Sequence, residues 1–124
     1  MTSFKPDTCV TIVPYFDVPD SNLEQVKGML PSFVESTSKE AGNLHYAFSF
    51  KGNVCHCREG YDSADALLTH LGNVDARLKE LLGLSALTRL EVHGPAAEID
   101  KLRGPLAGLN PEWYVLVEGG IRRT

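Results

Sequence analysis

Apolar and polar residues alternate along several short stretches of the chain, and these stretches predict β-strands. The first is CVTIVPYFDV, residues 9–18, which is rich in β-branched and aromatic side chains. LHYAFSF (44–50) and VCHCREGY (54–61) flank the segment KGN, which predicts a β-hairpin. LTRLEVHG (87–94) and PEWYVLVEGG (111–120) complete the predicted set of strands.

The stretches between these strands repeat their apolar residues at helical spacing. In residues 19–42, Ser21 is the predicted N-cap, Gly42 is the predicted end, and Pro31 predicts a kink. Further helices are predicted over residues 63–71, over residues 74–84 and from Pro95, which is expected at the first helical position.

The order β-α-β-β-α-α-β-α-β predicts an α+β fold, a ferredoxin-like sandwich in which helices cover one face of an antiparallel sheet. A length of 124 residues fits a single domain over residues 1–124. The other face of the sheet would stay uncovered unless a second copy packed against it, so we expect a homodimer.

The hairpin decides which side chains share a face of the sheet. A turn made of Gly52 and Asn53 would pair Tyr46 with Glu59. The face expected under the helices then carries Leu44, Tyr46, Phe48, Phe50, Cys55, Cys57, Glu59 and Tyr61. The opposite face carries His45, Ala47, Ser49, His56 and Arg58. Glu59 is therefore the exception on an otherwise uncharged face.

Composition narrows the class of function. The chain is 43% hydrophobic and 23% charged, which is ordinary for a globular protein. Its net charge is −4 and its basic residues are scattered, so we expect no nucleic-acid partner. We expect no membrane partner, because no stretch approaches the roughly 20 apolar residues of a span. Three cysteines and no signal-peptide pattern at MTSFKPDT predict a cytoplasmic protein with reduced thiols.

The segment from AGNLHYAFSF through CHCREGYDSADALLTHL resembles the antibiotic biosynthesis monooxygenase-like domains, which are dimeric α+β barrels. That family has a Gly and a Tyr in its second strand, Glu-x-aromatic at the end of its third, and His-Leu in its second helix. The matching residues are Gly42, Tyr46, Glu59, Tyr61, Ala66, Leu67, His70 and Leu71. The resemblance covers roughly residues 9–84, and Tyr61 stands where the family often has Trp.

The resemblance implies several expectations about function and assembly. Family members include cofactor-independent oxygenases of polycyclic phenols, haem-degrading enzymes and domains without assigned activity. The region beyond residue 93 would form a C-terminal arm that reaches the partner subunit. His70 would face a cavity between helices and sheet; on the helical pattern alone, it is equally well a helix-edge residue that faces solvent.

We interpret His70 and Glu59 as candidate catalytic residues. An imidazole can deprotonate a phenol or an enol near neutral pH, before direct reaction with oxygen and without a cofactor. Tyr46, Tyr61, Phe48 and Cys57 would form the substrate-binding walls. A carboxyl on an apolar face must otherwise be protonated or tied to a backbone amide, to Tyr46 or to an arginine such as Arg89.

The alternative is a non-catalytic dimeric module that binds a small molecule or serves a stress-related role. It predicts a core closed by Phe48, Phe50 and leucines, whereas an enzyme predicts an open pocket of roughly 300 Å³ beside His70.

We expect no metal site. Cys55 and Cys57 share a face while His56 points to the other, and these two thiols are fewer ligands than a zinc site needs, even if Cys9 lies nearby. No residue pattern singles out an axial ligand for haem.

Overall fold

The strands and helices that the sequence predicts follow one another in the expected order, with one short unpredicted strand near each end of the chain. The computed structural model describes residues 3–117 and 120–123. Its strands are Phe4–Lys5 (β1), Val10–Asp17 (β2), Asn43–Lys51 (β3), Val54–Tyr61 (β4), Ala86–Gly94 (β5), Glu112–Val115 (β6) and Arg122–Arg123 (β7). Its α-helices are Leu23–Ser38 (α1), Ala64–Asn73 (α2), Asp75–Leu84 (α3) and Ala96–Leu102 (α4).

The main sheet has the strand order β3-β4-β2-β5-β6, which is the order of a ferredoxin-like sandwich extended by β6. The four strands β3, β4, β2 and β5 are antiparallel neighbours, as predicted, whereas β6 pairs with β5 in parallel, so the sheet is mixed. A separate pairing of β1 with β7 was not predicted, because each of these strands is only two residues long.

The predicted hairpin register is confirmed. Tyr46 lies opposite Glu59 and Phe48 lies opposite Cys57. Gly52 has a φ of +56°, a conformation that glycine adopts without a steric penalty. Asn53 completes the turn and donates hydrogen bonds of 2.8 Å to the Val18 carbonyl and 2.7 Å to Asp20 Oδ1.

The placement of Leu44 on the buried face was wrong. The register of β3 shifts between Asn43 and His45, and Leu44 is 38% exposed. An irregularity of this kind turns side chains away from the strict alternation on which the expectation rested.

Several predicted ends of helices and strands also differ. A 3-10 turn at Asp20–Asn22 precedes α1, so Asn22 rather than Ser21 is the N-cap, and α1 ends at Ser38 rather than Gly42. Pro31 lies inside α1 as expected. Pro95 is the residue before α4 rather than its first. Strand β6 covers only part of the predicted range 111–120, and residues 118–119 of that range lie outside the described residues.

The helices pack on one face of the main sheet and enclose two apolar clusters. One cluster joins α2 and α4 to the sheet through Val10, Tyr61, Leu67, Val92, Ile99 and Leu102. The other lies under α1 and α3 and contains Phe16, Val26, Phe33, Cys55 and Leu81. Along β4, Glu59 lies between Cys55 of the second cluster and Tyr61 of the first, so the two clusters meet at this carboxyl group.

Among the helices of the described residues, none combines the length and the apolar character that a membrane span requires.

Candidate functional site

Helix α2 directs His70 toward the sheet. Ser63 caps the helix by accepting a hydrogen bond of 3.1 Å from the Ala66 amide, which fixes where the helical repeat begins. Leu67 and His70 are then three residues apart on the inner side, 0% and 2% exposed. His70 is therefore not a helix-edge residue that faces solvent.

The imidazole of His70 lies between two carboxyl groups. Its Nδ1 is 2.9 Å from Glu40 Oε2 and 3.1 Å from Glu40 Oε1, and its Nε2 is 3.5 Å from Glu59 Oε1. Asn73, one helical turn after His70, donates a hydrogen bond of 2.7 Å to Glu40 Oε2. Because the Glu40 carboxylate can only accept, we assign the proton of neutral His70 to Nδ1, which leaves Nε2 as an acceptor on the Glu59 side.

Glu59 is 6% exposed and has side-chain partners of its own. The Tyr61 hydroxyl donates a hydrogen bond of 2.7 Å to Glu59 Oε1, and the Cys57 thiol is a second partner. Of the expected alternatives, Arg89 does not hold this carboxyl group, because its guanidinium pairs with Glu91 and Glu112 instead.

Burial changes the acidity of both central groups. Removal from water raises the pKa of Glu59 from 4.5 to about 7, against the opposing effect of the hydrogen bonds from Tyr61 and Cys57, and the charge of Glu40 raises it further. Burial lowers the pKa of His70, although its hydrogen bond with Glu40 and the charge of Glu40 oppose that change. A neutral imidazole therefore lies beside a carboxyl group that exchanges its proton near neutral pH.

These groups form the polar end of a cavity of about 50 Å³ between the sheet and the helices. The rest of the wall is apolar, and much of it consists of Leu71, Leu78, Leu81, Leu82, Leu87, Leu90 and Leu109. The volume is well below the roughly 300 Å³ expected for an enzyme pocket. It is still large enough for a few water molecules or a small ligand, so the core is not closed over His70.

The structure brings together most of the residues predicted for the site. Tyr46, Phe48 and Cys57 line the cavity with Glu59 and His70, and the ring of Tyr46 is 5.1 Å from that of His70 between centroids. Tyr61 does not line the cavity; it lies behind Glu59, with its ring also 5.1 Å from His70. Sequence reasoning missed Glu40, which follows α1 and has no motif to mark it.

The cysteines are arranged as the alternation predicted. Cys55 and Cys57 are buried under the helices, whereas His56 is on the outer face, with Nδ1 2.8 Å from the Pro14 carbonyl. Over the described ranges, no three His, Cys, Asp or Glu side chains are grouped so that they could hold a metal ion. Burial raises the pKa of the Cys55 thiol to about 11 and also raises that of Cys57, so both thiols are protonated at neutral pH.

A solved structure of MupZ from Pseudomonas fluorescens is similar to this chain over most of both chains. The two sequences are 44% identical, the match covers 92% of this chain and 89% of MupZ, and the TM-score is 0.87. No protein-family model matches the sequence, and no curated protein matches it either.

More distant solved structures share the fold. A protein from Caulobacter crescentus, named as a candidate antibiotic biosynthesis monooxygenase, has a TM-score of 0.63 at 20% identity, over 68% of this chain and 87% of its own. A protein from Chloroflexus aurantiacus with the same kind of name has a TM-score of 0.58 at 17% identity, over 71% and 93%. At these identities, the likeness shows the fold alone.

Proposed function

Because the chain belongs to the family of MupZ and is an antibiotic biosynthesis monooxygenase-like domain, we propose that it is an enzyme that transfers protons to and from a small aromatic or enolic molecule. The reaction that fits this chemistry is a cofactor-independent oxygenation. His70 and Glu59 are the proposed catalytic residues.

One observation carries this proposal. His70 is buried between the carboxyl groups of Glu40 and Glu59 at the polar end of an otherwise apolar cavity. In a purely structural core, a leucine would fill the position of this imidazole. It would do so without the cost of removing the imidazole and its two acidic neighbours from water. Groups with perturbed pKa values that meet in a cavity favour a functional site.

The proposed reaction balances without a cofactor. His70 Nε2 accepts the hydroxyl proton of a phenol, and the electron-rich ring then reacts with O2. The ring gains one oxygen atom and loses two hydrogens, one from oxygen and one from carbon, to become a quinone. The second oxygen atom leaves with those two hydrogens as water, so the substrate itself supplies the electrons. Tyr46 and Phe48 offer aromatic walls against which a flat ring packs.

Oxygen consumption by the purified protein with a panel of small phenols and enols tests this proposal. With ¹⁸O₂, we expect one labelled oxygen atom in the product. His70→Gln should lower the rate by about 100-fold or more, which is the usual contribution of a general base. His45→Gln is the matched control, because His45 is an exposed histidine of the outer face. Equal rates in the wild type and in His70→Gln would refute the role of His70.

The small volume of the cavity, about 50 Å³, favours a second candidate function. A non-catalytic module would bind a compact molecule in this space without changing it. That function predicts ligand binding by the wild type with unchanged ligand recovered by mass spectrometry and no oxygen uptake for any compound that binds.

We further propose that a second copy covers the outer face of the sheet. Ala47 and Ser49 are exposed on that face, the rings of Tyr15 and His56 stack there at 4.4 Å, and the C-terminal arm exposes 79% of Val117. Light scattering after size-exclusion chromatography should give twice the 13.6 kDa chain mass. Ala47→Arg should yield monomers, and a wild-type protein of single-chain mass would refute the dimer.

A further inference from the structure

The charges around the cavity are all of one sign. All twelve Lys and Arg residues of the chain lie within the described residues, and none of them lines the cavity. Arg89 is committed to Glu91 and Glu112 on the outer face, and Arg122 is bound to Asp62 at 2.9 Å. A ligand in the cavity therefore meets no cation that could neutralise a negative charge.

The polar end instead carries acidic groups. Both oxygens of Glu40 are within hydrogen-bond distance of His70 Nδ1, and Asn73 donates to one of them, which is the arrangement of an ionised carboxylate. Glu59 is the second acid, and it reaches the cavity directly. An anion placed there would lose its hydration and also be repelled by Glu40, without a positive partner in exchange.

We propose that the cavity rejects anions, and that the group it recognises at the polar end is a hydroxyl. This inference deepens the proposed function, because it rests on the cavity beside His70 being the ligand site. The apolar remainder of the ligand would lie along the leucine-lined wall.

The hydrogen-bonding groups at the polar end explain the preference for a hydroxyl. With Nδ1 bound to Glu40, His70 Nε2 is an acceptor, and a protonated Glu59 carboxyl is a donor. The 3.5 Å between Nε2 and Glu59 Oε1 is too long for these groups to satisfy each other well. A hydroxyl can donate to the first and accept from the second, whereas an ether only accepts.

A panel of three toluenes that differ only in the para substituent tests the inference. The probes are 4-methylphenol, 4-methylanisole and 4-methylbenzoate, which share one apolar body. Binding to the wild-type protein at pH 6 is measured by NMR, with the ring protons of His70 reporting on the site. We expect 4-methylphenol to shift the His70 signals and to bind about tenfold or more tightly than each of the others, since they leave a buried polar group unpaired or a charge uncompensated.

Two outcomes would overturn the inference. One is binding of the anisole or the benzoate at the His70 site as tightly as 4-methylphenol. The other is the absence of binding by all three, because a cavity suited to small hydroxyl compounds must bind the phenol.

A pair of variants separates charge selection from shape. At pH 8, Glu59→Gln removes an acid from the cavity wall without changing its size, so the preference for 4-methylphenol over 4-methylbenzoate should fall by about threefold or more. Glu35→Gln, at an acid of α1 that is 77% exposed, should leave the ratio unchanged. An unchanged ratio in Glu59→Gln would contradict the electrostatic argument.

The result is independent of the oxygenase reaction. If 4-methylphenol binds with the stated preference and no phenol of the panel consumes oxygen, the inference stands and the oxygenation falls. If phenols are oxidised but binding at His70 ignores charge, the proposed function stands and the inference falls.

Discussion

The raised pKa of Glu59 should make the stability of the whole protein depend on pH. A group whose pKa is higher in the folded state than in the unfolded state binds its proton more tightly in the folded state. At a pH between the two values, the unfolded chain has released that proton and the folded chain has kept it, so raising the pH favours unfolding. Glu59 therefore contributes a loss of stability as pH rises from 4.5 to about 7, and no further change above that range.

The size of this effect follows from the shift in pKa. The change from 4.5 to about 7 corresponds to about 3 kcal/mol in the free energy of unfolding. This is a large part of the roughly 5–15 kcal/mol that stabilises a domain. Since Glu59 is 6% exposed, screening by solvent reduces the effect little.

Glu59→Gln isolates the contribution, because glutamine has nearly the same shape and does not titrate. Urea unfolding is followed by circular dichroism at intervals from pH 4.5 to 8.5, for the wild type and for the variant. We expect the stability of the variant relative to the wild type to increase by about 3 kcal/mol across this range. The lowered pKa of His70 acts in the opposite direction in both proteins, so it largely cancels from the difference.

Glu35→Gln is the matched control, at a carboxyl group of α1 that is 77% exposed, and its curve should run parallel to that of the wild type. If the wild type and Glu59→Gln instead run parallel from pH 4.5 to 8.5, burial does not perturb Glu59, and the reasoning about the site is refuted.

Two further predictions test the partners of His70 and Glu59, and a third tests the apolar core. Glu40→Gln removes the charged partner of His70 at 2.9 Å, so an NMR titration should find the pKa of His70 lower than in the wild type. Tyr61→Phe removes the 2.7 Å hydrogen bond that stabilises the ionised form of Glu59, so the pH range of the stability change should move upward in urea unfolding. Leu67→Ala, at a side chain that is 0% exposed, should lower the free energy of unfolding by about 2–5 kcal/mol in the same assay.

The parts of the fold that the sequence predicts well are those with a local cause. The hairpin register depends on Gly52 and Asn53, which permit a tight turn, and on the strict alternation that follows, so Tyr46 and Glu59 are correctly placed opposite each other. The prediction fails for Leu44, at the irregular end of β3. Its exposure follows from the way Asn43 and His45 pair across the sheet, where the register shifts. The short strands β1 and β7 depend on contacts between the two ends of the chain, which no local pattern shows.

In the candidate site, too, the sequence predicts the residues that a local pattern marks and misses the one that only tertiary packing brings in. Glu59 stands out because it interrupts an apolar face, and His70 because it adjoins a leucine stripe. Glu40 lies in a polar segment in which an acid is unremarkable. It is thirty residues from His70 along the chain, and only the packing of the end of α1 against α2 brings them together. A contact of this kind depends on tertiary geometry rather than on spacing.

The loss of stability that Glu59 causes above pH 4.5 bears on the role of this residue. Glutamine would accept the same hydrogen bond from Tyr61 without the cost of burying an ionisable group. Suppose that Glu59→Gln is about 3 kcal/mol more stable than the wild type at pH 8 and also loses turnover of a phenol. In that case the wild type retains a destabilising carboxyl group because proton transfer needs it, as is common where a site requires a group with a perturbed pKa. If the variant gains that stability and retains both turnover and the preference for a hydroxyl ligand, then Glu59 is dispensable for the chemistry. The proton would then be handled by His70 and Glu40 alone.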